Sequence, residues 1–181
     1  PITVEAEADT INPLAVALST VDLEGKPSTR MVLLKGFDEK GAVFYTNLNS
    51  PKAADLEKNK YASMLFHWDD CQRQLRIRGT VTKVTEEESD AYFATRQKLN
   101  QVGAWASQQS QPLKSRAALM EKVAALMAKW TGRNVPRPEH WGGFRVSLEE
   151  IEFWQGQEGR LHDRIRYTCN VDQWSWARLQ P

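Results

Sequence analysis

Arg160, His162, Arg164 and Arg166 recur with period two in the stretch Glu152-Phe-Trp-Gln-Gly-Gln-Glu-Gly-Arg-Leu-His-Asp-Arg-Ile-Arg-Tyr167. If the segment is extended, these four project from one face, and Leu161, Asp163, Ile165 and Tyr167 take the other. Like charges in a row on a strand repel unless something anionic lies against them. Guanidinium forks match phosphate and carboxylate geometry, and a histidine titrates near neutrality. The chemistry suggested is the holding of a phosphate-bearing ligand. A solvated sheet edge guarded by charge is the alternative that these residues leave open.

Other residues could join such a site. Tyr45-Thr-Asn-Leu-Asn-Ser-Pro-Lys52 reads as strand, loop and helix start. Free backbone N–H groups and the helix dipole favour an anion there, and Lys52 adds a full charge. Arg30 and Lys35 bracket the apolar run Met31-Val-Leu-Leu34, on opposite faces if the strand is straight. Tyr92 and Arg96 stand four apart on an expected helix, spaced to share a phosphate through a phenol and a guanidinium. The plain alternatives are solvated strand ends and an ordinary helix-surface pair. Gln109 and Ser110 offer donors in a polar run, and Trp154 could cover a planar ring. Carboxylate pairs, nucleophile triads, phosphate-cradling glycine loops and zinc patterns are missing from the sequence. An enzyme so composed would leave the chemistry to a cofactor.

The elements that must position these groups are short. With 181 residues the chain fits one domain, expected over 1–181, with room for a real core. Lys plus Arg is 24 against 23 Asp plus Glu, so no global basic field marks a nucleic-acid binder. Cys71 and Cys169 show neither metal-ligand nor CxxC spacing, which favours a reduced, cytoplasmic setting. No apolar run approaches the roughly 18 residues of a membrane span, and no signal peptide is read. The chain opens on Pro1 without a Met, consistent with a missing or trimmed N-terminal piece. Strands are expected over 15–21, 29–35, 42–46, 62–68, 73–84, 143–148, 151–155 and 174–179, with 36–41 as a turn. Helices are expected over 51–59, over 89–96 after a capping box at Thr85-Glu-Glu-Glu88, and over 115–131. Closely spaced strands with hairpin-length turns point to an antiparallel barrel or sandwich. Of the seven tryptophans, Trp130 is expected in the core.

Several motifs in series resemble pyridoxamine 5′-phosphate oxidases: Arg30-Met-Val-Leu-Leu-Lys35, Val43-Phe-Tyr-Thr-Asn47, Arg73-Gln74, Gln101-Val-Gly-Ala-Trp105, Ser107-Gln-Gln-Ser110, Trp141-Gly-Gly143, Glu152-Phe-Trp-Gln-Gly156 with Arg160-Leu-His-Asp-Arg164, and the closing Arg178-Leu-Gln-Pro181. The resemblance runs from about Ala15 to the end. It implies a mainly β, antiparallel Greek-key split β-barrel (the FMN-binding split barrel) with flanking helices, as a homodimer with FMN at the interface. It implies a pyridoxal 5′-phosphate synthase that oxidises pyridoxamine or pyridoxine 5′-phosphate, with O2 as acceptor and hydrogen peroxide as product. By position, Arg30, Lys52, Gln109 and Ser110 would hold the FMN phosphate and ribityl chain. Met31, Val32, Leu33, Leu34, Lys35, Tyr45, Thr46, Gln74, Trp154 and Arg164 would line the rest of the flavin. Lys35, Tyr92, Arg96 and Asn100 would take the substrate phosphate, and Arg160, Leu161 and His162 would lie over the pyridine ring, with Arg160 and His162 catalytic.

The chain departs from that pattern at three positions: Pro51 stands where the family usually has Arg, Asn100 where it often has Ser, and Gln97 where it has Pro. Pro51 removes one guanidinium from the expected FMN phosphate site. Two other functions fit the residues: a phenazine-pathway flavin oxidase on the same fold, and a non-catalytic flavin- or pyridoxal-phosphate-binding protein. Neither nucleic acid nor membrane is an expected partner.

Overall fold

The computed structural model describes residues 12–171 and 173–181. Along the chain run β1 (Ala15–Val21), β2 (Pro27–Leu33), β3 (Gly36–Asp38), β4 (Gly41–Asn47), α1 (Pro51–Lys58), β5 (Tyr61–Trp68), β6 (Arg73–Lys83), α2 (Glu86–Thr95), α3 (Lys98–Ala106), α4 (Arg116–Lys129), β7 (Trp141–Val146), β8 (Glu150–Gln155), β9 (Asp163–Asn170) and β10 (Gln173–Arg178). They form two compact units. One comprises the described parts of Pro1–Phe44, Asp55–Thr82 and Arg145–Pro181, the other Tyr45–Ala54 and Lys83–Phe144.

The first unit is built on alternation. In β1, Val16, Leu18 and Thr20 are buried and the residues between them half-buried. In β6, Leu75, Ile77, Gly79 and Val81 turn inward while Arg76, Arg78 and Thr80 are exposed, as a period of two requires. The strands follow the order β10-β9-β8-β6-β5-β1-β2, each pair antiparallel. Thr20, fully buried, donates its hydroxyl to Asp55 Oδ2 at 2.6 Å, so the buried polar group is satisfied.

Apolar side chains continue along one face from β6 through β8 and β9 to β10. The register pairs Ile77 with Ile151 and Leu75 with Phe153, then Ile151 with Tyr167 and Phe153 with Ile165, and finally Tyr167 with Trp176 and Cys169 with Trp174. Exposure climbs along this face, from 0% at Ile77 and 8% at Leu75 to 40% at Phe153 and 66% at Trp176.

The second unit packs Phe93, Val102, Trp130, Val135 and Trp141 into a core, with Val123, Leu126 and Met127 of α4 against it. The capping box read at Thr85 forms: Thr85 Oγ1 accepts from Glu88 N at 3.1 Å, and the Glu88 carboxylate accepts from Thr85 N at 3.3 Å. Trp130, the C-cap of α4, is buried as expected.

Three local expectations are corrected. Helix α3 lies where the sequence carries no helix signal, being nine residues long, with Gly103 inside it and no side-chain cap at Gln97. The expected turn at 36–41 contains β3, paired with the start of β4. Residues 160–162 do not extend β9: a 3-10 turn covers Glu158–Arg160 and the strand begins at Asp163.

Gly79 sits opposite Ala62 in mid-strand, and a Cβ there would lie 2.0 Å from the Ser147 carbonyl oxygen. Backbone cannot yield as a side-chain tip can. Gly79→Ala is therefore expected to destabilise the fold by about 2–3 kcal/mol, the upper range for overpacking, as read by urea unfolding.

Candidate functional site

The first unit aligns three of the expected flavin residues. Gln74 pairs with Trp154 across β6 and β8, and Trp154 with Arg164 across β8 and β9. They form one cross-strand row on the face opposite the apolar one. The next row is Arg76, Glu152 and Arg166, followed by Arg78 opposite Glu150. The Glu152 side chain, 4% exposed, accepts from Arg164 Nε at 2.9 Å and forms an ion pair with Arg76. Glu150 lies 3.5 Å from Arg78 and 3.9 Å from Arg166. The strand part of the cationic stripe thus has internal counter-ions. Burial alone would raise the Glu152 carboxyl above its usual range, but hydrogen bonds and charge from Arg164 and Arg76 outweigh it and hold the group low.

The remaining two members of the stripe, Arg160 and His162, lie on the turn before β9. Arg160 takes a left-handed backbone (φ 62°), a conformation uncommon for a residue that carries a Cβ. Leu161 is exposed. The Gln157 N–H donates to His162 Nδ1 at 3.1 Å. That bond assigns the proton of the neutral ring to Nε2. Ring centroids of His162 and Trp154 lie 4.6 Å apart.

Arg30 lies on β2, the end strand of the sheet path. Its Nη1 donates to Leu18 O at 3.2 Å and Thr20 Oγ1 at 2.8 Å, its Nη2 donates to Ser28 Oγ at 2.7 Å, and Asp55 stands 4.0 Å away. Burial lowers its pKa and Asp55 partly restores it. Met31 and Leu33 are exposed, Val32 and Leu34 half-buried. Lys35 lies beyond β2, where its N–H donates to Val43 O at 2.8 Å and its side chain is exposed. The straight-strand parity argument for Arg30 and Lys35 therefore does not apply.

In the second unit the corner before α1 holds a lysine among oxygens. Lys52 is buried, and Nζ donates to Gln109 Oε1 at 2.7 Å and to Thr46 Oγ1 and Ser50 Oγ at 3.1 Å each. Thr46 Oγ1 also donates to Gln109 Oε1 at 3.1 Å. Pro51 takes the first helical position, where a missing N–H costs no hydrogen bond. Ser110 follows with φ 68°.

The same unit stacks Tyr92 on Tyr45, with centroids 4.2 Å apart, and Tyr45 on Trp141 at 5.2 Å. Helix α2 ends at Thr95, and Arg96, four residues beyond Tyr92, caps it in an extended conformation. Its guanidinium lies 4.8 Å from the Trp141 ring centroid and 5.6 Å from that of Phe93. Burial pushes its pKa down, with an opposing effect from Tyr92. The buried Nη1 has no hydrogen-bond partner among the described residues. Asn100, on α3, is exposed.

A family profile described as Pyridoxamine 5′-phosphate oxidase matches residues 3–130, and one described as Pyridoxine 5′-phosphate oxidase C-terminal dimerisation region matches 141–181. The chain belongs to the pyridoxamine 5′-phosphate oxidase family. It is 52% identical to a pyridoxine/pyridoxamine 5′-phosphate oxidase of Rubrobacter xylanophilus, over 93% of this chain and 78% of the relative. It is 51% identical to one of Gloeothece citriformis, over 97% and 82%. Among solved structures it is similar to PhzG of Burkholderia lata in complex with tetrahydrophenazine-1-carboxylic acid, with a TM-score of 0.89 and 34% identity over 93% of this chain and 83% of that one. An FMN-binding protein of Nostoc punctiforme, related to pyridoxamine 5′-phosphate oxidase, shares the fold at TM-score 0.75 and 17% identity, over 94% and 89% of the two chains. The antiparallel sheet with flanking helices is that of the FMN-binding split barrel.

Three of the residues expected at the site are held by side chains to which the sequence assigned no role. Glu152 grips Arg164, Thr20 and Asp55 engage Arg30, and Trp141 supports Arg96. Complementary period-two charges were the available signal for the first: Arg76 and Arg78, Glu150 and Glu152, then Arg164 and Arg166.

Glu152 also dictates an acid response. Its folded pKa lies below the unfolded value of about 4.3. Its contribution to stability is complete above that value and is lost as pH falls through the folded one. Glu152→Gln is expected to flatten the acid limb of stability below about pH 4.3, measured by urea unfolding across pH.

Proposed function

We propose that this chain is an FMN-dependent oxidase, acting as one domain over 1–181 in the cytoplasm, that converts pyridoxamine and pyridoxine 5′-phosphate to pyridoxal 5′-phosphate. Dioxygen accepts the electrons and leaves as hydrogen peroxide. The observation that carries this reading is Arg96, a half-buried side chain on an aromatic platform whose buried Nη1 is an unmet donor. An unpaired buried donor is costly, and a phosphate oxygen meets it with a charge-assisted bond.

The residues present fit a flavin phosphate and ring system. Lys52, fixed by Thr46, Ser50 and Gln109, is a cation ready at a helix start, with Ser110 beside Gln109. Gln74, Trp154 and Arg164 offer an amide, an indole and a guanidinium in one row, suited to a polar aromatic ring. Arg30 to Lys35 contributes an end strand, and Tyr45 a ring. When bound, the flavin supplies the two-electron acceptor for oxidation at the substrate C4′ carbon and returns to its starting state with O2.

On the substrate side, Lys35, Tyr92, Arg96 and Asn100 bind the phosphate. Arg160, Leu161 and His162 lie over the pyridine ring. With Nδ1 filled by the Gln157 N–H, a neutral His162 can offer a ligand only its Nε2–H, so it serves as a hydrogen-bond donor held in one orientation.

Adding pyridoxine 5′-phosphate to the yellow protein without oxygen should bleach the flavin bands, and readmitted oxygen should yield hydrogen peroxide. A phenazine-pathway oxidase would give little peroxide with this substrate, and a non-catalytic binder none. Arg96→Ala should raise KM for the phosphorylated substrate about tenfold or more, the weight of one charge-assisted hydrogen bond, with FMN content unchanged. An unaltered KM removes Arg96 from the phosphate site.

A homodimer with FMN at its interface completes the proposal. The exposed apolar face formed by Phe153, Tyr167, Trp174 and Trp176 lies within the stretch matched by the dimerisation profile. Such a face is covered in stable assemblies. Trp176→Glu is expected to shift the protein from dimer to monomer in light scattering, and a variant that stays dimeric would place the contact elsewhere.

A further inference from the structure

We propose that Glu152 is a positioning residue for flavin binding, acting through Arg164. This rests on the reading of Arg164 as a flavin contact. Two sides of the Arg164 guanidinium are already taken: Nε donates to Glu152 Oε1 at 2.9 Å, and Nη1 to the Gln180 carbonyl at 3.0 Å. The same tail is tied back where Leu179 N donates to Arg164 O at 2.9 Å. Nη2 has no hydrogen-bond partner among the described residues, so the clamp leaves one edge of a planar group on offer. A guanidinium held at two of its nitrogens loses little further freedom when a ligand arrives.

Charge points the same way. One carboxylate shared by Arg76 and Arg164 leaves the trio with a surplus of one positive charge, beside the row containing Trp154 and Gln74. Stability does not ask for this arrangement, since a buried ion pair commonly holds a fold no better than apolar residues of similar volume. What it does provide is a fixed direction for a donor, as supporting residues do around preorganised sites.

The test is a double-mutant cycle read as FMN affinity, from quenching of flavin fluorescence on titration with apo-protein. Glu152→Gln, nearly isosteric, should weaken FMN binding about tenfold. Arg164→Ala should weaken it at least as much, and the double variant should match Arg164→Ala within about twofold. Losses that multiply in the double variant would mean Glu152 acts independently of Arg164 and overturn the proposal alone. An unchanged FMN affinity in Arg164→Ala would overturn the reading of Arg164, and the proposal with it. Should circular dichroism show Glu152→Gln unfolded, Glu152→Asp, which keeps the charge on a shorter arm, carries the same cycle with the same outcomes.

Discussion

A carboxylate withdrawn from water between two guanidiniums governs the polar face of β6, β8 and β9. Glu152 can stay ionised there only because Arg76 and Arg164 both reach it. A one-residue slip of β8 would turn Glu152 into the face shared with Leu75, Ile77 and Ile165. A two-residue slip would keep the face but move Glu152 away from its partners. Either leaves an unpaired buried charge, so the register is tightly specified. That register is also what sets Gln74, Trp154 and Arg164 side by side.

The opposite face of the same strands has a separate role. Strict alternation gives each strand one polar and one apolar side, and here the apolar side grows more exposed toward β10. Residues expected at the flavin and the exposed apolar residues therefore share a backbone without sharing side chains. Phe153 and Trp154 illustrate it: neighbours in the chain, one packs edge-on to the Tyr167 ring and the other lies by His162.

Elements with strong periodicity or capping chemistry are legible in the sequence. The β6 alternation, the Thr85 capping box and the apolar stripe of α4 each announce themselves within a few residues. Helix α3 does not, because its boundaries rest on backbone geometry and its neighbours' packing. The site was legible as residue types but not as arrangement. Period two over 160–166 looked like a single strand. The chain instead turns through positive φ at Gly159 and Arg160, so two of the four groups leave the strand. Arg96, at the C-cap of its helix, meets an aromatic platform that four-residue spacing could not reveal.

The cations expected at the site divide by how the protein treats them. Arg30, Lys52 and Arg164, the set assigned to the flavin, are each held by several oxygen acceptors of the chain itself. Arg96 has an unmet nitrogen, and the side chains of Lys35 and Arg160 have no hydrogen bond or ion pair among the described residues. The difference suits two kinds of ligand. A resident cofactor gains from groups fixed in advance, because little ordering remains to oppose binding. An exchanging substrate must leave as well as arrive, and side chains ordered only by its own phosphate weaken the complex enough to let product go. Pro51 fits the first category. Its ring locks φ at the first position of α1, immediately before Lys52, so the helix start is fixed before any ligand arrives.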